Sequence, residues 1–157
     1  MSSGHSASLT RKVHVMDTKA AGYEFIEHTA DLAVRARAAD LPELFVQATR
    51  GMYALLGKFQ PGSQAIETTI EVHAPDTESL LHDWLAELLW QLDGQGNLFE
   101  RFHFTRFDAQ RVTGHCYGTV YDKAASERLV EIKAVTYHGL RIEKRGDMYE
   151  VTVVFDI

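Results

Sequence analysis

The chain has one cysteine, no long apolar run, and less positive than negative charge. A lone Cys116 excludes a disulfide framework and any cysteine-based zinc module. No apolar stretch approaches the roughly 20 residues that span a bilayer. The N-terminus also lacks the apolar stretch of a secretory signal. A membrane role is therefore not expected, and a cytoplasmic setting is. Lys and Arg number 16 against 22 Asp and Glu, a formal net charge of −6. Affinity for phosphate backbones needs clustered positive charge, so such a chain is a poor free-standing nucleic-acid binder. Catalytic signatures are missing as well. There is no Gly-x-Ser-x-Gly elbow, no Gly-rich phosphate loop ending in Lys-Ser/Thr, no Gly-x-Gly-x-x-Gly, and no His-x-x-x-His pair among the eight histidines.

What is present is the composition of an ordinary globule, 45% hydrophobic and 24% charged. At 157 residues, folding buries roughly 68–70% of the surface of the unfolded chain, enough to dispense with staples. Residues 1–21 are rich in Ser, Gly, Ala and Lys without a sustained period and read as a disordered tail. Residues 22–157 read as one domain. Leu32, Val34, Ala36 and Ala38 alternate with Ala33, Arg35 and Arg37, the pattern of a half-buried strand. Asp40, followed by Glu43, marks a helix start, and Leu41, Leu44, Phe45, Ala48, Met52, Leu55 and Leu56 trace its apolar face. Ile66 to Val72 alternates again. Asp76 caps a second helix, expected to run to about Leu92, whose wide apolar arc makes it the more buried of the two. Phe102 to Phe104 and Val112 to Val120 read as adjacent antiparallel strands, and Asp122 to Arg128 as a polar connector. Arg145-Gly146-Asp147 is the turn of a hairpin. Strands in runs with two helices predict an α+β fold: two layers, two main helices packed on a mostly antiparallel sheet.

Few residues offer chemistry. Cys116 sits between His115 and Tyr117 in a strand, so His115 points to the opposite face and cannot easily serve as its base. Asp31 lies in a short polar kink, where a turn-forming role accounts for it equally well. The sequence ends inside a strand pattern at Val154-Phe155-Asp156-Ile157, which would hold the Ile157 carboxylate beside Asp156. Carboxylates gathered there would repel one another unless a cation sat among them. A hard ion such as Ca²⁺ or Mg²⁺ suits an all-oxygen site, while simple solvation of terminal acids is the alternative. Lys133 stands in an apolar stretch. It is either a surface lysine with its stem on the core or a cation placed for phosphate.

Four segments carry a resemblance to a known family: Phe25-Ile26-Glu27-His28-Thr29-Ala30-Asp31, Leu80 to Leu89, Glu131-Ile132-Lys133-Ala134-Val135-Thr136-Tyr137-His138, and the terminal Phe155-Asp156-Ile157. In this order they resemble the archease family, protein cofactors of the tRNA-splicing RNA ligase that joins cyclic-phosphate and 5′-hydroxyl RNA ends. Two positions depart from the family pattern: Ala86, where a polar residue is common, and Ser126, near which a His often stands. The resemblance implies a fold related to strand-helix-strand-strand modules. It implies a divalent cation, Ca²⁺ with Mg²⁺ as the alternative, on Asp31, Asp156 and the Ile157 carboxylate. It further implies a partner-activating role for Lys133, Asp31 and Asp156, with His28 and His138 as supporting residues. The implied activity is not catalysis but activation: promoting guanylylation of the partner ligase and its repeated turnover in tRNA splicing or RNA repair, with RNA met only through the ligase. The competing readings are a metal-dependent hydrolase, a small-ligand-binding module and a chaperone-like factor. A water-activating site would want a general base and a phosphate-binding group beside the ion, for which His28 and Lys133 are the candidates.

Overall fold

The structure, a computed structural model, describes residues 20–27 and 31–157. The expected N-terminal tail, apart from Ala20 and Ala21, and the candidate His28 lie outside the described residues. Among those described, the elements run β1 (Gly22–Glu27), β2 (Asp31–Ala38), α1 (Leu41–Leu56), β3 (Gly57–Lys58), β4 (Ala65–His73), α2 (Thr77–Gln95), β5 (Asn97–Phe107), β6 (Arg111–Val120), β7 (Glu127–Arg128), β8 (Ala134–Val135), β9 (Glu143–Arg145) and β10 (Met148–Asp156). They form two compact units. One comprises the described residues up to Leu55 together with Glu131–Ile157, and the other Leu56–Val130.

The first unit is a five-stranded antiparallel sheet ordered β1-β2-β10-β8, with β9 also paired to β10. Pleating sends alternate side chains to opposite faces. Val34, Ala36 and Ala38 of β2 and Val151, Val153 and Phe155 of β10 are buried on one face. Helix α1 packs there. A Cβ on Gly51 would stand 2.4 Å from Val34 Cγ1, so the helix backbone rests close on the sheet and leaves room for hydrogen alone. The other face carries Arg35 opposite Thr152, Arg37 opposite Glu150 and, at the far end, Asp31 opposite Asp156. The expected cap of α1 is present, with the Glu43 N–H donating to Asp40 Oδ1 at 2.9 Å. The Glu43 carboxylate accepts from Gln47 Nε2 at 2.7 Å, so its side chain supports the next helical turn instead of reaching back to the cap as a capping box would.

The second unit sets α2 on the three-stranded sheet β4-β6-β5. Trp84 is fully buried, with its ring 6.0 Å from Phe102 and 5.4 Å from Phe104. Both Phe side chains lie on the face that Cys116 and Gly114 present in register. Phe102 and Phe104 are half-buried and close over the Trp84 ring. Asp76 Oδ1 accepts from the Ser79 N–H at 2.8 Å, and this holds the Asp76 carboxyl below its usual range. The helix continues to Gln95, a turn beyond the expected Leu92, because Gly94 stays helical. It is Gly96, at φ +74, that closes it and returns its N–H to Leu92 O.

The fold is α+β with two helices on antiparallel sheets, as the sequence suggests, but the strands are partitioned. Instead of one sheet there are, among the described residues, a five-stranded, a three-stranded and a two-stranded one. The last pairs β3 with β7, and β7 lies inside the segment from Asp122 to Arg128 expected to be a plain connector. No helix among the described residues is long and apolar enough to cross a membrane.

Candidate functional site

The site forms where β2 begins and β10 ends. The two strands pair so that Asp31 stands directly opposite Asp156. Residues opposed in an antiparallel pair project to the same face, with Cβ atoms about 4.5–5.5 Å apart. Two carboxylates 125 positions apart in sequence thus share one corner of the sheet. Asp31 is half-buried and Asp156 exposed. Like charges placed opposite one another are destabilising in a sheet, so a cation between them would relieve the pair.

Lys133 is tied to the same corner through its backbone. Its N–H donates to the Asp156 carbonyl at 2.7 Å, and the next residue, Ala134, pairs in register with Asp156. Ile132 and Val135 are buried while Lys133 and Ala134 are exposed, so the apolar residues anchor the segment and leave the lysine at the surface. Thr136 secures the far side of this segment. Its N–H and its Oγ1 both donate to the Val154 carbonyl, at 3.1 and 2.8 Å, and Oγ1 accepts from the His138 N–H at 3.2 Å. Sequence reasoning missed Thr136 as a positioning residue; a short hydroxyl directly after Ala134-Val135 was the available signal. His138 itself is exposed. Ile157 follows β10 directly and is 39% exposed.

Asp31, Asp156, Lys133 and Ile157 therefore gather at one sheet corner, with His138 on the segment that Thr136 pins. As metal donors, the two aspartates are hard oxygens of the kind Ca²⁺ and Mg²⁺ take. The described residues contain no group of three or more His, Cys, Asp or Glu that could hold an ion. Any ion here would thus draw further oxygens from the main chain, water or a partner. Cys116 is no nucleophile in this fold: it is buried, its Sγ lies 3.7 Å from the Gly114 carbonyl, and burial pushes the thiol up to about 12.

The model of the Archease protein family matches residues 23–157. The chain belongs to this family. It is 32% identical to a Protein archease of Sulfurisphaera tokodaii over 137 residues, covering 86% of this chain and 98% of that protein. Identity is 34% over 148 residues to a Protein archease of Methanosarcina acetivorans, covering 90% and 100%. A Protein archease-like of Drosophila melanogaster is 31% identical, with 86% and 90% covered. Among solved structures, Methanobacterium thermoautotrophicum protein 1598 superposes with a TM-score of 0.68 at 31% identity, covering 87% of this chain and 99% of that one. The fold is shared too with a Thermotoga maritima protein described as an archease and possible chaperone, at a TM-score of 0.61 and 24% identity, covering 92% and 98%. All four segments that carry the archease resemblance lie within the matched residues.

Proposed function

We propose that this archease-family protein is a non-catalytic activator of the tRNA-splicing RNA ligase, promoting guanylylation of the ligase and its multiple turnover. The observation that carries the reading is the register of β2 and β10, which sets Asp31 against Asp156 beside a Lys133 whose backbone is bonded to Asp156. In this reading Asp31, Asp156 and the main-chain carboxylate of Ile157 hold a divalent cation, Ca²⁺ or alternatively Mg²⁺, which neutralises the opposed acids when bound. Lys133 then presents a positive charge across the interface to phosphates in the partner. The exposure of Lys133 and Asp156 supports contact with another protein. A buried, poorly ionised Cys116 supports activation over covalent catalysis by this chain. The net charge of −6 suits approach to a basic, RNA-handling partner by charge complementarity.

The test is multiple-turnover ligation by the partner ligase with each variant, alongside thermal melts. Lys133→Ala is expected to fold normally, because an exposed lysine contributes little beyond stem packing, yet to lose most of the activation. Lys133→Arg is expected to rescue poorly, since guanidinium differs from ammonium in shape and hydration. Asp31→Ala and a C-terminal extension after Ile157 are expected to abolish both Ca²⁺ binding in calorimetry and activation, whereas an N-terminal tag is harmless. Full activation by folded Lys133→Ala and Asp31→Ala proteins would remove the site from the account.

A further inference from the structure

A second, chemically opposite site lies on the same sheet face. Four arginines from three parts of the chain line one cavity of about 1020 Å³ in the first unit: Arg35 and Arg37 on β2, Arg141 on the loop before β9, and Arg145 on β9. In a chain with net charge −6 this is a local reversal of sign. Arg35 is engaged by Glu24 at 3.2 Å and Thr152 at 3.4 Å, and Arg145 by Glu143 at 2.9 Å, so the donors the carboxylates leave over are those of Arg37 and Arg141. Glu150 holds Arg145 Nε at 2.9 Å but stands 3.8 Å from Arg37 Nε, beyond hydrogen-bond reach. Arg37 Nε is buried, and among the described residues it is the buried side-chain nitrogen or oxygen without a hydrogen-bond partner. Arg141 is 78% exposed and meets Glu143 only at 3.9 Å. With no carboxylate among the described residues within hydrogen-bond distance of Arg37 or Arg141, their guanidinium groups at the cavity are left for an oxyanion.

We infer that this cavity binds the phosphate of a small organic phosphate bearing an aromatic ring, the chemistry of a nucleoside monophosphate. Guanidinium forks match phosphate oxygens in pairs, which ammonium does not. The volume is at the upper end of small-molecule clefts, roughly 300–1000 Å³, and far exceeds what inorganic phosphate fills. Tyr137, 56% exposed, also lines the cavity and brings an aromatic ring to it. A long polyanion fits less well, because Glu143 and Glu150 share the lining and the molecule as a whole repels it. The site is separate from the acidic corner: Arg35 is four residues from Asp31 on the same face of β2, roughly 13 Å away. The inference therefore stands whether or not the ligase reading does.

The experiment titrates the full chain with adenosine and guanosine 5′-monophosphates, inorganic phosphate, and a single-stranded oligonucleotide with hydroxyls at both ends, reading calorimetry and amide shifts. A monophosphate is expected to bind with a sub-millimolar Kd that weakens as salt rises, shifting amides of β2, β10 and the loop before β9. Loss of a charge-assisted hydrogen bond should weaken binding about tenfold in Arg37→Met and in Arg141→Met. Arg141 is so exposed that its replacement cannot disturb the fold, which keeps the test decisive if Arg37→Met melts early. No binding at millimolar ligand, or equal binding by wild type and both variants, overturns the site. Inorganic phosphate binding as tightly as the monophosphates overturns the role of the ring, and tighter binding of the oligonucleotide overturns the small-ligand assignment.

Discussion

At the scale of single residues, the most constrained positions are those where the fold leaves no room. Gly118 sits mid-strand in β6, opposite Phe99, next to the register shift between Phe99 and Arg101. A Cβ there would stand 1.9 Å from the Leu98 carbonyl oxygen and 2.7 Å from the Phe99 Cα, both backbone atoms that cannot swing aside. Gly118→Ala is expected to destabilise by about 1–3 kcal/mol, the range of overpacked sites, read as a lowered denaturation midpoint. A midpoint equal to wild type would mean β5 and β6 are not so closely apposed. Cys116 gives a second test. Its thiol is pushed from 9.0 up to about 12 by burial, so above the ordinary value the unfolded chain loses a proton that the folded chain keeps. Stability is therefore expected to fall as pH rises from 9.0 toward about 12, and the slope should flatten in Cys116→Ala. A thiol reagent should label Cys116 only as the protein unfolds; prompt labelling of native protein would contradict its burial.

At the scale of elements, what the sequence made legible was what depends on local periodicity. The alternation from Leu32 to Ala38 and from Ile66 to Val72, the apolar arc of α2, and the Gly146 turn at φ +63 between β9 and β10 each follow from neighbouring residues alone. Which strand joins which sheet does not, because hydrogen-bond partners come from far along the chain; the split into three sheets and the short β3–β7 pair were illegible for that reason. The expectation that α2 is the more buried helix is overturned: α1 is covered on more of its surface, while α2 leaves Trp90 60% exposed, because burial depends on packing partners far along the chain. Residue by residue, Asp31 and Asp156 are only separate candidates; the resemblance implies that they share an ion, and the register of β2 on β10 sets them opposite one another. The arginine cavity was illegible outright, since residues 35, 37, 141 and 145 share no motif and meet only in the folded sheet. The N-cap of α2 yields a test at this scale. Hydrogen bonds from Ser79 hold the Asp76 carboxyl below 3.8, so its contribution is present above that pH and is lost as pH falls through the lowered folded value. Asp76→Ala is expected to lower the melting temperature at neutral pH, with a gap that narrows toward acid. A gap that stays constant down to strongly acidic pH would mean the cap does not act through its charge.

At the scale of the whole molecule, charge separates handling RNA from helping an RNA enzyme. With a net charge of −6, the isolated protein is expected to bind tRNA only weakly and without specificity, with a Kd no tighter than ~10⁻⁶ M at physiological salt. Tight, salt-sensitive binding in a filter or anisotropy assay would instead make it an RNA-binding module. The acidic corner and the arginine cavity lie on one face of one sheet, so a partner and a small phosphate could be met from the same side. The central claim is that this chain acts on a ligase and not on RNA, and turnover number tests it most directly. With RNA ends in large excess over the tRNA-splicing ligase, the account predicts that ligation stops near one product per ligase without this protein and continues through many with it, while the protein alone joins nothing. Ligation that is multiple-turnover to the same extent with and without the protein would contradict it.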